Sequence, residues 1–246
     1  MQALGRSLSE ARAIEERLAH VDWQAIERSL WDQGWAKTTP LLTPEECDEL
    51  ISLYDDERRF RSRIDMARYR FGVGEYKYFA EPLPPVVAAL RARMYPRLYA
   101  IANRWETALG RRGRYPADLE RFLDFCAERG QSKPTPLLLQ YSVGGYNCLH
   151  QDIYGEVAFP LQVTSVLSRR GADYTGGESL LVEQRPRAQS RGDVVVIEQG
   201  EALIFATRGR PVRGARGYYR VSMRHGVSRL LSGRRYSLGV IFHNAT

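Results

Sequence analysis

The sequence predicts an α+β fold in which helices pack on the outside of a β sandwich or barrel. Two patterns predict it. The first half places apolar residues at mixed three- and four-residue spacings, the stripe of an amphipathic helix. The second half breaks into short β-branched runs separated by glycines, the pattern of many short strands and tight turns. No internal repeat or low-complexity linker divides the 246 residues. One domain (1–246) is therefore expected, with 1–130 as mainly helical support and 131–246 as the β-barrel core.

In chain order, residues 7–20 and 22–33 read as amphipathic helices. Gly34-Trp35 interrupts that spacing, and 36–42 is expected to form a short strand. Thr43-Pro44-Glu45-Glu46 then has the form of a capping box with proline at the first helical position, which opens a helix toward Tyr54. The segment 59–79 alternates and is rich in Arg and Tyr, predicting a strand pair around Gly72–Gly74. Pro84-Pro85 begins a long helix over 86–109, and another follows at 116–128. Strands are expected at 137–141, 158–167, 178–182, 194–197, 202–206, 219–225 and 236–242.

Composition narrows the class. With 43% hydrophobic residues the chain can bury enough apolar surface to fold, which excludes a disordered tail or linker. No run of about 18 apolar residues is present, so no transmembrane helix is expected. The first twenty residues lack an apolar stretch, so no signal peptide is expected. Cys47, Cys126 and Cys148 are scattered without a CxxC pair, which argues against a disulfide framework or zinc finger and suits a reducing cytoplasm. The net charge of +7 is carried almost wholly by arginine. Between Arg185 and Arg235 stand twelve Arg against Asp193, Glu198 and Glu201, a stretch of +9. Such a field suits an anionic ligand or nucleic acid, and a solvated arginine face would look the same.

Four histidines are present, at 20, 150, 225 and 243. His150-Gln151-Asp152 sets an imidazole and a carboxylate two residues apart, on one side of an extended chain. In 219–225, Tyr219, Val221, Met223 and His225 share a strand face that is apolar and ends in histidine. Two neutral imidazoles and one carboxylate bind a divalent ion through three positions and leave three open, as in the facial triad of non-heme Fe(II) oxygenases. HxD alone is a weak pattern, since four His and eleven Asp supply about 0.2 such pairs by chance. For His150 and Asp152 by themselves a structural hydrogen-bonded pair would be the default. Ten residues past His225, Arg235 and Ser237 share a strand face, where a guanidinium and a hydroxyl can grip a carboxylate. Tyr141 lies nine residues before His150 and can add a third hydrogen bond. His20 and His243 read as structural or solvated. Tyr146, Asn147, Tyr154 and Glu156 flank the HxD segment and can line a substrate pocket or pack on its rim.

These segments carry a family resemblance. Residues 139–152, LQYSVGGYNCLHQD, resemble the Tyr…Gly…HxD segment of Fe(II)/2-oxoglutarate-dependent dioxygenases. Residues 174–180, YTGGESL, resemble their Gly-Gly-Glu strand, and GEALIF (200–205) and HGVSRLLSGRRYSLGVIF (225–242) their last barrel strands. The similarity spans roughly residues 35–245. Within the superfamily the chain is similar to a bacterial family of oxygenases described as acting on damaged DNA. The resemblance implies a double-stranded β-helix, a jelly-roll or cupin-like barrel with the N-terminal helices outside. It implies His150, Asp152 and His225 as ligands of Fe(II), Arg235 as partner of the far 2-oxoglutarate carboxylate, and Ser237 and Tyr141 as helpers. The implied activity is hydroxylation of a C–H bond with 2-oxoglutarate and O2, with alkylated nucleic acid as one substrate. The alternatives are a protein side chain of prolyl type, a small anionic metabolite, a cupin-like metalloenzyme without 2-oxoglutarate, and a non-catalytic nucleic-acid-binding barrel.

Overall fold

A computed structural model of the chain describes residues 2–152 and 155–246, the side chains of 2–8 excepted. Five helices form, α1 (Gln2–Ala19), α2 (Trp23–Gln33), α3 (Pro44–Ser52), α4 (Pro85–Ala108) and α5 (Leu119–Ala127). The strands of the first half are β1 (Trp35–Lys37), β2 (Phe60–Asp65), β3 (Gly72–Val73) and β4 (Glu75–Phe79). Those of the second half are β5 (Leu137–Ser142), β6 (Tyr146–His150), β7 (Leu161–Val166), β8 (Tyr174–Gly176), β9 (Ser179–Gln184), β10 (Arg191–Val195), β11 (Ala202–Ala206), β12 (Gly209–Gly214), β13 (Gly217–Val227) and β14 (Leu230–Val240). Among the described residues no helix is long and apolar enough to cross a membrane.

The helix ends follow from local chemistry. Asp22 caps α2 by accepting from the Ala25 amide, and Gly34 closes it in the left-handed conformation. The capping box of α3 is complete: the Glu46 amide donates to Thr43 Oγ1 at 3.2 Å, and the Thr43 amide donates to Glu46 Oε2 at 2.8 Å. Arg17 reaches the same Glu46 at 2.7 Å and ties α1 to α3.

The strands build two antiparallel sheets. The larger has eight strands, ordered β1-β11-β7-β14-β5-β4-β2 with β8 added against β14. The smaller has six, ordered β10-β9-β13-β6-β3 with β12 added against β13. The period of two decides what each face meets. On β14, Tyr236, Leu238 and Val240 join the core beneath the helices, whereas Arg235, Ser237 and Gly239 face a cavity between the sheets. On β11 the same division sends Ile204 outward to the helices and Leu203 and Phe205 inward. The outer face of the larger sheet is apolar and packs under α2 and α4, while the inner face, where Arg235 and Ser237 stand among leucines, lines the site.

Several differences from the sequence reading have plain causes. The sheets are not supplied by the second half alone: β4 pairs with β5, β3 with β6 and β1 with β11, so first-half strands extend both sheets. The strand expected at 36–42 is confined to Trp35–Lys37. Strand β10 lies earlier than the expected 194–197, because its residues pair with β9 from Arg191↔Glu183 to Val195↔Ser179. The last strand begins at Leu230 rather than at 235–236. It turns at Gly233 (φ +72°), where a Cβ would lie 1.9 Å from the Asp173 carbonyl oxygen, so only glycine lets β14 pass β8. Strand β6 escaped the sequence reading because it lacks alternating apolar residues.

The arginine-rich stretch is also not one solvated face. Arg210 is buried and pairs with buried Glu183 at 2.6 Å. Its guanidinium also donates to the Trp31 and Asp32 carbonyls, at 2.5 and 2.7 Å, at the C-terminus of α2. Arg235 is buried in the cavity wall.

His243 is structural. Its Nδ1 accepts the Phe159 amide at 3.2 Å, which requires the neutral ring, and burial pushes its pKa down from 6.5 to about 4. The unfolded chain therefore binds a proton that the native state refuses, and stability falls as pH drops from 6.5 toward 4, by about 3 kcal/mol across the window. His243→Asn, which retains an acceptor but cannot titrate there, is expected to flatten the fall in melting temperature between pH 6.5 and 4. An unchanged slope would remove this assignment.

Candidate active site

The site is built where the two sheets face each other. β13 and β6 pair with His225 directly opposite His150, so two imidazoles from neighbouring strands come side by side, ring centroids 4.2 Å apart. The chain leaves β6 after His150 and brings the Asp152 carboxylate back between them. Asp152 lies 3.5 Å from His150 Nε2 and 3.3 Å from His225 Nε2. One donor atom from each of the three residues lies within 4.8 Å of the others.

The residue between the two ligating types does the positioning. Gln151 also lines the cavity, and its Nε2 donates to the Arg208 and Met223 carbonyls, each at 2.7 Å, and to Ser222 Oγ at 3.0 Å. This fastens the HxD segment to β13 and to the start of β12. Nothing local in the sequence marks Gln151 for this role.

His150 Nδ1 sits 2.8 Å from the Cys148 carbonyl, an atom that only accepts, so Nδ1 carries a proton and Nε2 is the ring atom turned to Asp152. Burial presses the Asp152 carboxyl toward neutrality, but His225 and His150 outweigh it and hold it well below the usual carboxylate range. Burial keeps His225 neutral-leaning, with its pKa lowered in spite of Asp152. An ionised, buried carboxylate between two imidazoles that present ring nitrogens is a donor set for a divalent cation with imidazole and carboxylate preference.

Across the cavity the larger sheet contributes the opposite charge. Arg235 is 2% exposed, its Nη1 donates to Ser237 Oγ at 3.2 Å, and its Nε is buried without a hydrogen-bond partner. No acid pairs with it among the described ion pairs. Tyr141 is fully buried, and its hydroxyl too has no partner. Burial pushes the Tyr141 pKa up to about 12, against the pull of Arg235, so the hydroxyl stays a donor. Two glycines make these placements feasible. At Gly177 (φ +66°) a Cβ would lie 3.0 Å from Arg235 Cδ and 2.7 Å from Leu230 Cδ1. At Gly74 it would lie 2.7 Å from the Tyr141 ring. Tyr174, the first residue of YTGGESL, is buried and flanks Arg235, with its ring centroid 5.9 Å from the guanidinium carbon.

The cavity has a volume of about 300 Å³ and is lined by His150, Asp152, His225, Arg235, Ser237 and Tyr141 together. A cation at one wall and a buried unpaired guanidinium with a free phenol at the other fit a bound diacid between them. Of the flanking residues, Asn147 lines the cavity. Tyr146 and Glu156 are not among its lining residues, and Glu156 instead sits 3.5 Å from Arg129 on the surface. Tyr154 lies outside the described residues.

Comparison with known proteins agrees with this geometry. Residues 74–245 match the model of the Oxygenase-NA family, described as an oxygenase catalysing oxidative methylation of damaged DNA. The uncharacterized protein Rv2227 of Mycobacterium tuberculosis strain H37Rv is 49% identical over 167 residues, 68% of this chain and 72% of that protein. Among solved structures, an oxidoreductase of the 2OG-Fe(II) oxygenase family from Burkholderia pseudomallei superposes with a TM-score of 0.55 at 13% identity, covering 91% of this chain and 93% of the other. A prolyl-4-hydroxylase from Pseudomonas putida superposes with a TM-score of 0.54 at 14% identity, covering 91% and 99%. At such identities the two structures are similar in fold alone.

Proposed function

Given that this chain belongs to the Oxygenase-NA family and is an oxygenase, we propose that it is an Fe(II)- and 2-oxoglutarate-dependent dioxygenase oxidising alkylated nucleic acid, on a double-stranded β-helix. The carrying observation is the pairing across one cavity of a His-Asp-His donor set with a buried arginine that has no acid of its own. An uncompensated buried guanidinium is costly, and a carboxylate delivered by a ligand offsets that cost.

His150, Asp152 and His225 would hold the iron, with His150 fixed in the right tautomer by the Cys148 carbonyl. Arg235, Ser237 and Tyr141 would hold the far carboxylate of 2-oxoglutarate. When bound, iron and 2-oxoglutarate supply the oxidising power, with O2 split between succinate and the substrate carbon and CO2 released. The chain's own part is to keep Asp152 ionised, to orient the diacid through Arg235, and to keep the chamber dry with Leu139, Leu203 and Phe205. Three unpaired thiols suit a reducing compartment such as the cytoplasm.

Nucleic acid is favoured as substrate by the family description and by the +7 charge. The prolyl hydroxylase reading has only the shared fold behind it. The test is succinate release with Fe(II) and 2-oxoglutarate against N-methylated single-stranded oligonucleotides, proline-containing peptides and small acids. Oligonucleotide-stimulated succinate with matching formaldehyde is expected, since hydroxylation of an N-methyl group releases it. Stimulation by peptides alone would overturn the substrate assignment, and no succinate with any of them the enzymatic one.

A further inference from the structure

The turn between β2 and β3 carries two large aromatic side chains to the surface beside the cavity. Tyr69 is 54% and Phe71 46% exposed, and their rings stack with centroids 5.6 Å apart and planes 20° from parallel. Phe71 also lines the cavity that holds His150, Asp152 and His225. Isolated exposed aromatics are ordinary, but a stacked pair at the mouth of a reaction chamber is an apolar patch placed for contact.

The turn is built rather than loose. Met66 is fully buried beneath it, and its carbonyl accepts the amides of Tyr69 and Phe71. Asp65 Oδ1 caps the Ala67 amide at 3.0 Å. The Phe71 carbonyl accepts the Cys148 amide, two residues before His150, so the pair is registered to the strand that ends at the site. At Gly72 (φ +139°) a Cβ would lie 2.2 Å from the Tyr146 carbonyl oxygen, which lets β3 close onto β6.

Charge identifies the occupant. Arg68 and Arg70 flank Tyr69 and are exposed. Arg70 holds φ +59°, a conformation that favours glycine, yet the chain places a long cation there. Flat aromatic faces interleaved with arginines are what an unpaired nucleic-acid strand needs: bases stack on rings of any sequence, and guanidiniums reach the phosphates.

We propose that the Tyr69–Phe71 pair is a base-stacking platform that seats a single-stranded nucleic acid at the cavity mouth, with Arg68 and Arg70 on its backbone. The proposal rests on the oxygenase reading above and specifies how its substrate is held. A base next to the reacting nucleotide stacks on the ring pair, which leaves the reacting nucleotide free to enter past Phe71.

The test is fluorescence anisotropy of a fluorescein-labelled single-stranded thymidine 12-mer with the full chain, in wild type and variants checked for unaltered far-ultraviolet circular dichroism. Tyr69→Ala and Phe71→Ala are each expected to weaken binding about tenfold, and Phe71→Trp to restore it. Arg68→Ala and Arg70→Ala are each expected to lower the slope of log affinity against log salt by about 0.7. Arg70→Gly removes the strained side chain, so it is expected to weaken binding without lowering the melting temperature. Equal affinity in wild type and both alanine variants would overturn the platform, as would no strand binding by wild type at 50 mM salt. An acidic proline-containing peptide bound with the same sensitivity to both rings, the strand being ignored, would overturn the choice of occupant. The two readings separate cleanly. Strand affinity lost in the alanine variants of a protein that forms no succinate upholds the platform and removes the oxygenase chemistry, and the reverse pattern does the opposite.

Discussion

His225→Ala is expected to abolish iron-dependent succinate formation, and His150→Ala to do the same. His225 is the cross-strand partner of His150, and both imidazoles meet at Asp152. Removing one of three protein donors leaves an ion held by two, from one short segment. Even residues that merely orient a metal ligand are worth about 10–100-fold in affinity or activity, so loss of the ligand itself should exceed roughly a hundredfold. The measurements are Fe(II) affinity of the purified protein and succinate per minute. The fold should survive, because β13 is held by pairing to β9, β6 and β12 rather than by this side chain. Either variant turning over at near wild-type rate would remove the metal assignment.

Arg235→Met should separate binding from stability. In the ligand-free chain Arg235 is a buried cation with Nε unpartnered and a hydroxyl, Ser237, as its neighbour. Replacing such a charge with an apolar chain of similar length removes a desolvation cost, and comparable replacements of buried ions are often neutral or stabilising by about 1–4 kcal/mol. The melting temperature of the ligand-free protein is therefore expected to hold or rise. A diacid bound in the cavity would, by contrast, lose the one guanidinium among the described lining residues. Breaking a buried charge pair by removing one partner costs about 3–5 kcal/mol, which is a rise in half-saturating 2-oxoglutarate of at least about a hundredfold. Thermal shifts with and without 2-oxoglutarate read both effects on one instrument. A variant that melts lower and binds 2-oxoglutarate normally would refute the assignment of Arg235.

Much of this architecture is legible in the sequence because it is local. Thr43-Pro44-Glu45-Glu46 encodes its own helix start, and the capping box forms as the residue types dictate. The apolar run 202–206 becomes β11 with those bounds, since a strand buried on both faces reads as a continuous apolar run. His150, Asp152, His225 and Arg235 could be singled out because chemistry restricts which residues serve such a site. Where a side chain's meaning is set by a distant contact, the sequence is mute. Arg210 and Arg235 look like the other ten arginines of 185–235, yet one pairs with Glu183 and caps α2, and the other faces the cavity. Gln151 reads as a spacer and is a fastener. Tyr69 and Phe71 read as strand-pair aromatics, and only the fold of the turn brings them to the mouth.

The donor set belongs to the smaller sheet and Arg235 to the larger, so the span between them is fixed by how far apart the two layers pack, about 10 Å in sandwiches of this kind. Leu203 and Phe205 of the larger sheet pack with Leu181 and Val195 of the smaller in one buried cluster, so a shift of either wall disturbs that packing. With the diacid held between these walls, a keto-diacid one methylene shorter or longer than 2-oxoglutarate is expected to bind more weakly, which thermal shift with each homologue checks. Discrimination among such homologues is then a property of the sandwich thickness and not of any single residue.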